Sequence, residues 1–313
     1  MSFYTFQPVY QSRIWGGQNL KRLFERNIPE NARIGESWEL VDRPEAQSVW
    51  TEDGKTTLHD LWASAEREKI FGTRAPQKDR FPILIKILDA QEKLSVQVHP
   101  PLKVAEKFHG EPKTEMWYFL DTTENAEIYA GLKRGVTRAS FEQALAKKKI
   151  AECIHALPTK PYEAMLLPAG RIHAIGGGNV LLEIQQNSDT TYRVDDWNRA
   201  DANGKPRELH VEQALECIRF DDWEPYFIQP HGERVVKTDF FEIRRISFFE
   251  KEMRDFQIQP TSFQYWFITQ GELKFLDREW EKGQTVFLTA DSGALEVEAL
   301  SDYAEAIITT FPL

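Results

Sequence analysis

Two cysteines in 313 residues, Cys153 and Cys217, lie far apart and outside any metal-type spacing. That excludes a disulfide framework and points to a reducing compartment. Both sit in stretches that read as helical, as small core residues. No stretch approaches a membrane span. Met1 to Arg13 shows no apolar core behind a basic start, so the expectation is a cytoplasmic protein without a secretory signal. No basic run stands out either. The formal charge is −10, with 39 lysines and arginines against 49 aspartates and glutamates. That balance argues against nucleic acid or an anionic membrane as partner. It would also repel a phosphorylated ligand, which must then be held by local cations. Oligomeric state leaves no mark in the sequence.

Helical signals are few. Leu58, Leu61, Trp62 and Ala65 mark a short amphipathic helix. A second is expected to start at Ser140, with Gln143 completing a capping box and Ala144, Leu145, Ile154 and Leu157 forming its apolar face. Val211, Ala214, Leu215 and Ile218 mark a third. The rest reads as short strands between turns: Ile83 to Leu88, Leu94 to His99, Glu115 to Leu120, Ala164 to Leu167, Val180 to Gln186 and Thr191 to Asp195. From Phe240 the chain is strand-rich again and has no histidine. A connection with Pro225, Pro230 and Gly232 precedes it. The expected organisation is therefore a catalytic unit over 1–230 and a smaller β unit without metal ligands over 231–313.

Three segments carry chemistry. In Leu94-Ser95-Val96-Gln97-Val98-His99, strand alternation puts Ser95, Gln97 and His99 on one face. Such a polar face suits a barrel interior, and equally an edge strand facing solvent. In Lys113-Thr114-Glu115-Met116-Trp117, Glu115 shares a face with Lys113 and Trp117. It is either an exposed ion pair or a buried carboxylate held by a cation. In Pro168-Ala169-Gly170-Arg171-Ile172-His173, a Pro-x-Gly turn aims the histidine. Together these segments offer an amide oxygen, two imidazoles and a carboxylate, a set suited to zinc, iron or manganese.

Longer stretches sharpen the reading. These are Arg13-Ile14-Trp15-Gly16-Gly17, Ile34-Gly35-Glu36-Ser37-Trp38, the Lys86 strand, the three segments above, and Leu182-Glu183-Ile184-Gln185-Gln186-Asn187-Ser188-Asp189-Thr190-Thr191-Tyr192-Arg193. Over residues 10 to 220 the chain resembles the short bacterial type I phosphomannose isomerases. The resemblance implies a mainly β protein: a cupin-type jelly-roll barrel with a few helices and a degenerate C-terminal β domain. It implies one zinc ion per chain on His99, Glu115 and His173, with Gln97 as fourth ligand. It implies Arg193 as the catalytic arginine, and Lys86, Lys113 and Glu183 around a sugar phosphate.

The implied reaction interconverts D-mannose 6-phosphate and D-fructose 6-phosphate through a cis-enediol. Glu183, or Lys113 with a lowered pKa, is the expected base, and Arg193 the stabiliser of oxyanion charge. For the phosphate, Ser95, Lys86 and Arg199 are the binding groups expected beside Lys113 and Arg193, with Arg207 also in reach. Two other readings of the same histidines and glutamate are a metal-dependent cupin oxygenase or decarboxylase and a non-catalytic sugar-phosphate-binding cupin.

Overall fold

The computed structural model describes residues 3–200 and 204–312. It is mainly β, as expected, and its larger sheets stack in four layers. A five-stranded sheet runs in the order Ile154–Pro158, Glu127–Leu132, His173–Ile175, Val96–Val98, Tyr192–Asp195. Facing it is a six-stranded sheet: Ala164–Leu167, Glu115–Thr122, Asn179–Gln186, Ile83–Ala90, Ile34–Leu40, Val9–Gly17. Both are antiparallel. Two further sheets follow, built mainly from strands between Arg234–Lys237 and Tyr303–Thr310.

Side-chain alternation explains the layering. Ile83–Ala90 is buried throughout because both its faces are covered. Ile83, Ile85 and Ile87 join a core shared with Phe241, Ile243, Tyr265 and Phe267 of the C-terminal sheets. Leu88 and Ala90 face the other way, into a core with Trp117, Phe119, Ile128 and Ile175. That second core and the candidate site share the space between the first two sheets. In Gln264–Gln270, Tyr265 and Phe267 face the catalytic unit, while Trp266 and Ile268 pack onto the outermost sheet. The N-terminal strand Phe3–Tyr4 crosses over and pairs with Thr285–Leu288.

The sequence misplaced some elements. The helix expected from Ser140 is Arg138–Ala146, capped by Thr137, whose hydroxyl accepts from the Ser140 amide while the Ser140 hydroxyl accepts from the Thr137 amide. Ile154 and Leu157 belong to a strand, not to its apolar face. Lys147 ends the helix and a 3-10 turn, Ile150–Glu152, redirects the chain. Cys153 follows that turn, outside any helix, while Cys217 ends the helix Val211–Cys217 as expected. The first helix, Leu58–Ala63, stops before Ala65. The Leu94–His99 strand is only Val96–Val98 long, and Leu94 turns toward the cavity.

Candidate active site

Two cross-strand rows build the site. In the five-stranded sheet, Gln97 pairs with His173 on one side and Arg193 on the other. In the six-stranded sheet, Glu183 lies between Trp117 and Lys86, and Lys86 is opposite Trp38. Residues directly opposite share a face, so both rows point into the space between the sheets. A cavity of about 290 Å³ opens there. Its walls carry Arg13, Lys86, Lys113, Arg193 and Arg207 against Glu36, Glu183 and Asp189. Five cations against three carboxylates give an anionic ligand a local welcome that the net charge of −10 denies it.

His99, Glu115 and His173 lie together at the base of this cavity, at most 2% exposed, with one ligand atom from each lying within 4.8 Å of the others. The Pro168-Ala169-Gly170 turn aims His173. Gly170 takes φ +90°, a conformation in which a Cβ is strained, and its amide donates to the His99 carbonyl at 2.9 Å. Arg171 locks the turn with two hydrogen bonds of 2.7 Å to Asp222.

The electrostatics call for a cation. His99 Nδ1 faces the Thr190 carbonyl and His173 Nδ1 the Arg171 carbonyl, each at 2.9 Å. A carbonyl only accepts, so each Nδ1 carries the proton and each Nε2 keeps its lone pair. Burial, with the Lys113 charge adding to it, holds His99 below its usual pKa; burial takes His173 down to about 3. Both rings are therefore neutral, the state a metal binds. Each Nε2 sits 3.4 Å from a Glu115 oxygen. Burial alone would raise Glu115, but the Lys113 ammonium at 2.9 Å holds it well below the carboxylate range. Three electron-pair donors thus face one another. His99 Nε2 and both Glu115 oxygens are buried without a well-formed hydrogen bond. A metal ion between them resolves that conflict.

Gln97 stands beside this cage. Its amide nitrogen is 3.3 Å from His173 Nε2, and its oxygen accepts from the Ser95 hydroxyl at 3.2 Å. Turning the amide over brings the oxygen to the cage and leaves Ser95 to accept instead. Glu183 is 4% exposed and accepts from Trp117 Nε1 at 3.1 Å. Burial raises its pKa and the Glu115 charge adds to that, against the opposing pull of Lys113 and Lys86. Lys86 is 3.5 Å and Lys113 4.0 Å from Glu183 Oε2.

Lys113 departs from the expected lowered pKa. Burial would lower it, but Glu115 and Glu183 together raise it, so without a metal it is held as an ammonium. Arg199 departs too. It lies outside the cavity wall, bonded to Asp196 and to the Lys93 carbonyl, while Arg207 lines the cavity. Ser95, Lys86, Lys113, Glu183 and Arg193 are brought together as expected. The sequence had given no role to Arg13 and Glu36, which pair across the wall at 3.1 Å. Their signal was a glutamate inside an otherwise uncharged run and an arginine just ahead of a Gly-Gly pair.

Comparison with known proteins agrees with this geometry. Residues 3–143 match the family model "Phosphomannose isomerase type I, catalytic domain". That span contains Gln97, His99, Lys113 and Glu115. Mannose-6-phosphate isomerase ManA of Bacillus subtilis is 34% identical, covering 97% of each chain. The mannose-6-phosphate isomerase of Streptococcus mutans is 38% identical over 68% of this chain and 66% of its own. A crystal structure of the Bacillus subtilis enzyme superposes with a TM-score of 0.87 at 29% identity, over 99% of both chains. The apo enzyme of Salmonella typhimurium, at 16% identity and a TM-score of 0.76 over the whole of both chains, shares the fold. With likeness running the whole length of a relative, and not only through the metal-cage motifs, the chain belongs to the type I phosphomannose isomerase family.

Proposed function

We propose that this protein is a zinc-dependent isomerase interconverting D-mannose 6-phosphate and D-fructose 6-phosphate through a cis-enediol. The observation that carries the reading is the cage of lone pairs on His99, Glu115 and His173 beneath a cationic cavity with a buried carboxylate on its wall. His99 Nε2 lies 3.4 Å from one Glu115 oxygen and His173 Nε2 3.4 Å from the other, close enough for one ion to touch all three side chains. His99, Glu115, His173 and the turned Gln97 would hold one zinc ion per chain, which supplies Lewis-acid polarisation of nearby sugar oxygens.

Glu183 is the base. Its raised proton affinity and its place on the wall suit it to take the proton from one carbon and return it to the neighbouring one. Lys113, held as an ammonium, and Lys86 balance the charge on Glu183 while it cycles. Arg193, half-buried with its Nε on Ser95 Oγ at 3.3 Å, stabilises the enediolate oxygen, worth roughly 10²–10³ in rate for one good donor. The apolar wall of Trp15, Leu88, Leu94 and Ile175 keeps bulk water from the intermediate. Neither cysteine forms a disulfide, in keeping with a cytoplasmic location. No helix among the described residues is long and apolar enough to cross a membrane.

A coupled assay for fructose 6-phosphate, run beside metal analysis, tests the reading. Zinc near one equivalent per chain is expected, with turnover lost on chelation and restored by zinc. His99→Ala loses both metal and activity. Turnover in D₂O places deuterium at C1 of fructose 6-phosphate. Full activity in a metal-free sample, or oxygen consumption in place of isomerisation, overturns it.

A further inference from the structure

One wall of the cavity carries more positive charge than negative: Arg193 and Arg207 line it, and Asp196, shared with Arg199, is the carboxylate that pairs there. Arg193 Nη1 donates to the Glu208 carbonyl at 2.9 Å and its Nε faces Ser95 Oγ. It makes no ion pair with any described residue. Arg207 stands on the same wall, about a quarter exposed. Its Nε and Nη2 donate to the two oxygens of Asp196 at 2.7 and 2.5 Å. That fork fixes the plane of the guanidinium, and its Nη1 makes no hydrogen bond among the described residues.

Asp196 is itself only 6% exposed and is shared. Arg199 Nη2 donates to the same oxygen at 2.6 Å and reaches back to the Lys93 carbonyl beside the cavity strand. The chain around Asp196 is tightly specified. Trp197 and Asn198 both adopt φ near +60°, conformations costly for residues with a Cβ. The Trp197 indole pins the turn by donating to the Leu94 carbonyl at 2.6 Å and by packing against Tyr129. Strain of this kind persists only where the surroundings over-determine it.

We propose that Asp196 is a positioning residue and Arg207 the substrate's phosphate ligand. Asp196 holds Arg207 on the wall beside Arg193 and aims its remaining Nη1 at the dianion, leaving Arg193 to the enediolate oxygen. Arg199 takes no part in contact with the substrate; it ties Asp196 to the Leu94–Ser95 edge of the cavity. A lysine in place of Arg207 could not serve equally, because it lacks the fork that lets one side chain bind Asp196 and phosphate together. This inference rests on the sugar-phosphate reading given above. It adds the two groups that fix which end of the sugar points to the cavity mouth.

The zinc-loaded enzyme gives the test, with mannose 6-phosphate as substrate and inorganic phosphate as competitive inhibitor. Arg207→Ala raises both KM and the phosphate Ki on the order of 10- to 100-fold, the loss of a charged hydrogen bond, with kcat changed far less. Asp196→Asn raises both in parallel to a smaller degree. The double variant is no worse than Arg207→Ala alone, because Asp196 acts through Arg207. Arg207→Lys recovers part of the phosphate affinity. A wild type without mannose 6-phosphate turnover defeats the functional reading. A wild type that turns over, joined by variants with unchanged phosphate Ki or by additive effects in the double variant, overturns this inference alone.

Discussion

At the scale of single residues, the site is a set of charges that are costly apart and compatible together. Arg193 illustrates the division of labour. It touches Ser95 and a backbone carbonyl, not a carboxylate, so its charge is available to the reaction. Arg193→Ala is expected to lower kcat by at least 10²-fold with a smaller rise in KM; a rise in KM alone would make it a second phosphate ligand. Glu36 illustrates the structural side. Burial would raise its pKa, but Lys86, Arg13 and the Trp38 indole together hold it below the usual carboxylate range. A depressed folded pKa adds stability above the ordinary value of about 4.3 and loses it as pH falls through the folded value. Glu36→Gln should therefore destabilise the fold near pH 7, by about 1–3 kcal/mol for the buried donors left without their carboxylate. The gap in Tm between wild type and variant should close as pH is lowered from 5 toward 3. A gap independent of pH would show that the charge on Glu36 does not matter.

At the scale of elements, the outer edge of the catalytic sheet departs from a regular ladder. Ser12 and Gly17 both pair with Ile34, so Arg13 to Gly16 bulge out against a single partner residue. That bulge throws Arg13 and Trp15 onto the cavity wall. It needs glycine on the facing strand: a Cβ on Gly35 would lie 2.5 Å from Arg13 Cβ and 2.8 Å from the Trp15 ring. Gly35→Ala is expected to cost about 1–3 kcal/mol and to raise KM by displacing Arg13, read by thermal melting and steady-state kinetics. An unchanged KM would separate the bulge from substrate binding.

Elements were also where the sequence spoke unevenly. His99, Glu115 and His173 were legible as a set through the family resemblance; of the local rules the Pro-x-Gly turn singled out His173, while strand alternation left His99 and Glu115 between a barrel interior and a solvent face. Ile154 and Leu157 were misread because a short apolar run fits helix or strand alike, and only pairing with Glu127–Leu132 decides. The exchange of Arg199 for Arg207 was invisible for a different reason. Both arginines reach Asp196, and nothing in spacing tells which one then faces the cavity.

At the scale of the molecule, the boundary expected near residue 230 from the sequence does not divide the core. Ile83, Ile85 and Ile87 of the catalytic sheet pack in one cluster with Phe241, Ile243, Phe267 and Phe287. Tyr118, three residues beyond the metal-cage glutamate, donates to Glu305 at 2.5 Å. The two units are expected to unfold in a single transition, and a chain ending at 230 to be insoluble, since it exposes a sheet face of isoleucines. A soluble, active 1–230 fragment would contradict this.

The strand order of the C-terminal sheet has a consequence for how the chain is made. Tyr303–Thr310, the last strand described, is not an edge; it lies between Glu242–Phe249 and Gln264–Gln270. Phe3 waits for Leu288, far later in the sequence. At ~5–20 residues per second, the nascent chain carries an uncovered catalytic sheet once Gln186 is made, and two unpaired strand edges from Gln270 until Tyr303–Thr310 emerges. Every message cut short before the final strand yields a product with those edges still open, a substrate for proteases and a seed for aggregation. The placement of one strand thus acts as an inspection step, letting only products that include Tyr303–Thr310 reach a closed, long-lived state.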